Sequence, residues 1–103
     1  MLQQRFSSEQ IDKILRQSLD YHCACPAQVC NSVVDLRELY EYQANCLLDT
    51  ATDHRMHESI AKGTATAHAA LEACLKDILD LEGWDPVLLE LPDVLKRKPI
   101  KEI

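Results

Sequence analysis

Three of the five cysteines fall within the stretch YHCACPAQVC, residues 21–30, at positions Cys23, Cys25 and Cys30. Thiolates are the ligands of tetrahedral Zn(II) sites and of softer Cu(I) sites, which take three or four of them. A fourth thiol, Cys74, comes within reach if the chain between it and this stretch doubles back as an antiparallel helical hairpin. Cys23, Cys25, Cys30 and Cys74 are therefore the first candidate metal group. Cys25 is also the best-placed reactive thiol. It stands where a helix begins, and unpaired N–H groups and the helix dipole there favour the thiolate.

The spacing C-x-C-x4-C is not a common zinc-ribbon pattern, and no second C-x-x-C accompanies it. The competing reading is structural, since cysteine is often a small buried hydrophobe filling a contact between helices. A second, weaker group joins Cys46 to His54 and His57, with Glu58 as a possible fourth ligand. Against it, His54–Glu58 and His68–Glu72 are i,i+4 pairs of the kind that decorate helix surfaces. A di-iron carboxylate centre needs Glu-x-x-His, and no glutamate precedes any of the four histidines by three positions. There is no Gly-rich phosphate loop, no G-x-S-x-G and no H-E-x-x-H, so enzymatic activity is not expected.

The elements that would position these residues are helices. The chain has two glycines and four prolines in 103 residues and is rich in Ala, Leu, Glu, Asp and Lys. Ser7 with Gln10 three residues later forms a capping box, and Phe6 with Ile11 forms a hydrophobic staple, predicting a helix over 8–21. Its apolar stripe is Ile11, Ile14, Leu15, Ser18 and Leu19. Pro26 suits the first position of a second helix, over 26–48. That helix carries a coiled-coil-like seam of Val29, Val33, Leu36, Tyr40, Gln43 and Leu47. Thr50 or Thr52 caps a third helix, over 52–82, which Gly83 ends. Its predicted seam is His57, Ile60, Thr64, Ala67, Leu71, Cys74, Ile78 and Leu81. Short helical turns follow over 86–97, with Asp85 as their cap.

The expected fold is all-α: a long antiparallel hairpin, a shorter N-terminal helix and a short C-terminal helical tail, in one domain over 1–95. Residues 96–103 form a basic tail. A helix over 52–82 is about 45 Å long, whereas a compact domain of this size has a radius of gyration of about 13 Å. The hairpin must project and leave its seam wet, so two copies are expected to join in a four-helix-type bundle.

The net charge is −6, and four of the eleven basic residues lie in KRKPIK, residues 96–101. The remaining body carries seven basic and sixteen acidic side chains. Such a body repels phosphate, so no nucleic-acid partner is expected. No segment has the ~20 apolar residues that cross a membrane, and residues 1–10 lack the apolar stretch of a secretory signal. A reducing cytoplasmic setting is expected, and an odd number of cysteines agrees with it. The leading expectation is a non-enzymatic helical protein that self-associates and serves as an interaction module. The alternative is a Zn- or Cu(I)-binding, or thiol-redox, bundle built on the cysteine cluster.

Overall fold

The computed structural model describes residues 2–20, 24–46 and 50–96, and every regular element among them is helical. Three α-helices follow in order: α1 over Ser8–Gln17, α2 over Cys25–Asn45 and α3 over Ala51–Glu82. Each boundary has a local cause. Ser7 Oγ accepts from Gln10 N at 3.1 Å while Gln10 Oε1 accepts from Ser7 N at 2.8 Å, the reciprocal capping box expected at the start of α1. Pro26 occupies the first turn of α2 and is buried. Thr50 caps α3 by accepting from Asp53 N at 3.0 Å. At the far end Gly83 takes φ 80°, and Trp84 N and Gly83 N bond back to the carbonyls of Leu79 and Asp80, a Schellman stop.

Two boundaries differ from expectation. After Gln17 the chain tightens into a 3-10 turn over Ser18–Asp20, where Ser18 Oγ also donates to Ile14 O. The change of pitch turns Leu19 outward, to 76% exposure, and it does not extend the apolar stripe. Cys46 adopts extended backbone and ends α2 at Asn45; the predicted extension over Leu47 and Leu48 lies outside the described residues.

The C-terminal segment forms two short turns. A turn at 86–88 is capped by Asp85, whose Oδ1 accepts from Val87 N and Leu88 N, and a 3-10 turn follows over Asp93–Leu95. Leu89 sits between them at φ 53° and is buried. Gln17 holds this unusual backbone by donating to Leu89 O and accepting from Leu91 N. Of the basic tail, only Lys96 is described. It pairs with Asp93 at 2.8 Å on the surface.

α2 and α3 run against each other as the hairpin, and α1 lies along α2. The described residues span 66 × 28 × 18 Å with a radius of gyration of 17.4 Å, well above the ~13 Å of a compact domain. The apolar core occupies one end only. Phe6, Ile11 and Ile14 meet Cys30 and Val33 of α2, Leu75 and Leu79 of α3, and Trp84, Leu89 and Leu91 from the tail. The rest of the hairpin projects as an arm.

Gly63 lies in the exposed middle of α3 with nothing within 4 Å of where a Cβ would stand. In the unpaired chain Gly63→Ala is therefore expected to stabilise the fold by about 0.5–1 kcal/mol through helix propensity. Thermal unfolding reads this as a rise of several degrees in Tm. A fall would show that the position is crowded.

Candidate functional site

The inward face of α3 does not follow the predicted seam. Its buried side chains are Asp53, His57, Thr64, His68, Glu72, Leu75 and Leu79. Residues 53, 64 and 75, like 57, 68 and 79, are eleven apart, the repeat of a nearly straight helix. A strict heptad seam drifts by about 20° per heptad from a straight α-helix. Counted from His57, that drift is about 50° at Cys74 and about 70° at Leu81, and both side chains are exposed. His68 and Glu72 rotate in. They are buried groups and not the surface pair predicted.

Together these rotations create a junction where the arm leaves the core. Glu72 Oε2 accepts from three donors: Arg5 N at 2.8 Å, Phe6 N at 2.9 Å and Arg37 Nη2 at 3.1 Å. Arg37 Nη2 also donates to Phe6 O at 2.5 Å, and Arg37 Nε donates to His68 Nε2 at 3.0 Å. Arg37 and Glu72 have side-chain exposures of only 12% and 5%. One ion pair thus binds the N-terminal segment, α2 and α3 together. Buried charges persist only with such pairing.

Further along the arm the interior stays polar. His57 Nδ1 lies 2.6 Å from Gln43 Oε1, and its Nε2 lies 3.3 Å from Asp53 Oδ2. Thr64 Oγ1 donates to Ile60 O at 2.7 Å. Among the described residues beyond Arg37 and His68, the buried side chains are Gln43, Asp53, His57 and Thr64; none is aliphatic or aromatic. Leu39, Tyr42 and Met56 on the same arm are 41%, 63% and 50% exposed.

The two sides of the hairpin differ. On one side α1 covers α2 near Val34, Arg37 and Glu41, and the N-terminal segment reaches Glu72, Lys76 and Leu79 of α3. On the opposite side, by helical periodicity, lie Val29, Ser32, Leu36 and Leu39 of α2, facing Ile60, Ala67, Leu71, Cys74 and Ile78 of α3. Every one of these is half-buried or exposed, and none is charged. Leu36 and Leu39 stand on the α2 half, and on α3 the stretch of Gly63, Ala67 and Ala70 between Ile60 and Leu71 has a low profile.

Three of the four thiols in the first candidate group lie among the described residues. Cys30 is wholly buried in the core, and burial pushes its thiol up to about 11, against a smaller opposing pull from the Arg37 charge. Cys25 and Cys74 are exposed, and Cys23 lies outside the described residues. Cys46 is half-buried near the tip and hydrogen-bonded with Tyr42, an interaction that raises the Tyr42 hydroxyl above its ordinary value. His54 is exposed, and Glu58 pairs with Lys62 at 3.3 Å instead of with His54. His57 faces inward with both ring nitrogens engaged. Among the described residues no three His, Cys, Asp or Glu side chains converge as a metal-ligand set, and no helix is long and apolar enough to cross a membrane.

Sequence reasoning placed Gln43 and His57 on the facing seams, and they do meet. It passed over Arg37 altogether. The eleven-residue spacing of polar and apolar positions along α3 was the available signal for His68. Comparison with protein-family models, with curated proteins and with solved structures finds no match to this chain.

Proposed function

We propose that this protein is a non-enzymatic helical module that pairs with a second copy of itself through the uncovered face of its hairpin. The observation that carries this reading is the composition of the arm's interior. Two helices that bury only Gln43, Asp53, His57 and Thr64 between them gain little hydrophobic stabilisation. Of the arm's aliphatic and aromatic side chains, Leu39, Tyr42 and Met56 are exposed and Tyr40 and Ile60 are only half-buried. A second hairpin laid over this face buries them and completes a four-helix bundle.

The face is self-complementary. In a two-fold arrangement the large residues Leu36 and Leu39 of each copy seat over the partner's low stripe of Gly63, Ala67 and Ala70, an isologous fit. A two-helix face about 35 Å long and about 20 Å wide gives about 700 Å² per copy, close to the ~800 Å² per partner of a standard interface. The polar Gln43–His57 contact inside each hairpin then resembles the buried polar residue that sets register in coiled coils.

Sedimentation equilibrium at micromolar protein tests this. The expected result is a dimer whose dissociation is measurable on dilution. A monomer that persists to hundreds of micromolar would exclude the reading.

A further inference from the structure

We propose that the Arg37–His68–Glu72 cluster is an acid-released latch holding the N-terminal segment, Leu2 to Ser7, against the hairpin. The hydrogen bonds dictate how it works. His68 Nε2 accepts from Arg37 Nε at 3.0 Å, so that nitrogen carries a lone pair and the ring proton sits on Nδ1. Nδ1 is buried and has no hydrogen-bond partner among the described residues; Glu72 Oε1 stands 3.5 Å away. A second proton can bind only at Nε2, where it meets the Arg37 N–H. Two donors cannot share that contact, and two like charges repel there. Protonation of His68 therefore expels the Arg37 guanidinium.

The same guanidinium holds Phe6 O and Glu72 Oε2. Its departure removes one of the three bonds between the N-terminal segment and the hairpin, and the other two go when the Glu72 carboxylate turns from Arg5 N and Phe6 N to the new imidazolium. The charged groups facing His68 are Arg37 from α2 and Glu72 from its own helix, while the N-terminal segment presents backbone groups. Burial disfavours the imidazolium most, Glu72 favours it and Arg37 opposes it, so His68 lies below its ordinary value of 6.5. In the unfolded or released chain the ring regains that ordinary value. The latch is thus fully closed above about pH 6.5 and loosens as pH falls below it, because the released form then binds more protons. Release lifts Phe6 from Leu79 and Trp84, with which it lines a cavity of about 190 Å³.

The test follows the Arg5 and Phe6 amide resonances, whose N–H groups donate to Glu72, in wild-type protein and His68→Gln from about pH 7.5 to 5. Glutamine keeps an acceptor for Arg37 but does not titrate. In wild type both amide signals should move together, losing their downfield shifts while helical circular dichroism holds. In His68→Gln they should stay in place over the same range. Wild-type signals that do not move, an equal titration in the variant, or loss of helix at the same midpoint would each overturn the latch. Should His68→Gln fail to fold, the wild-type imidazole ¹⁵N shifts decide: His68 must titrate at the amides' midpoint, and a different midpoint refutes the coupling.

Discussion

Ala67→Glu is expected to turn the self-associated protein into a monomer with its helix content unchanged. Ala67 is exposed on α3, in the middle of the low stripe, so a glutamate there has room in the single chain and costs its fold little. In the paired bundle each copy would place that carboxylate beneath Leu36 and Leu39 of the other, with no basic partner on either face. Burying an unpaired carboxylate costs several kcal/mol. Even ~3 kcal/mol across the interface weakens association more than about 100-fold. Ala69→Glu is the control, because residue 69 is exposed about 160° around the helix from residue 67 by the ~100° step per residue and outside the charge-free face. Sedimentation should give a monomer for Ala67→Glu and wild-type behaviour for Ala69→Glu. Equal effects from both would mean that the association does not use this face.

Arg37→Met should be the most damaging single change to the fold. Methionine retains much of the apolar stem and removes the charge, which leaves the Glu72 carboxylate buried with backbone N–H groups as its remaining donors. Breaking a buried pair from one side costs about 3–5 kcal/mol, a large share of the 5–15 kcal/mol that stabilises a typical domain. The Tm should fall by well over 10 °C, since about 1 kcal/mol corresponds to 4–8 °C in a domain of this size. Lys62→Ala breaks a pair whose side chains are 77% and 67% exposed and should cost less than about 0.5 kcal/mol. Adding Glu72→Gln to Arg37→Met should recover part of the loss, because no unpaired charge then remains. If Arg37→Met costs no more than Lys62→Ala in urea denaturation, the junction is not what ties the arm to the core.

Much of the fold could be read from particular residues. Ser7 with Gln10, Pro26, Thr50 and Gly83 are local signals, each acting on the backbone within a few residues, and each marks the helix end expected of it. The inward face of α3 could not be read as well. Thirty-two residues of helix amplify a small error in period, and the 3.5 repeat assumed for a coiled coil diverges from a straight helix by about 50° between His57 and Cys74. This one rotation exposes Cys74 and buries His68 and Glu72. It moved the chemistry of interest from the thiols to a histidine, an arginine and a carboxylate. Arg37 was invisible for another reason: its partners are backbone groups of residues 5 and 6 and side chains of 68 and 72, and no spacing within α2 encodes them.

Distance contacts between copies report which surface meets which. An isotope-filtered nuclear Overhauser experiment on a mixture of labelled and unlabelled chains sees only contacts between different molecules. Pairing through the uncovered face should give cross-peaks from the methyls of Ala67 and Ala70 in one copy to those of Leu36 and Leu39 in the other. Cross-peaks confined to the exposed Val87 and Val94 of the tail, with none from Ala67 or Ala70, would place the interface elsewhere.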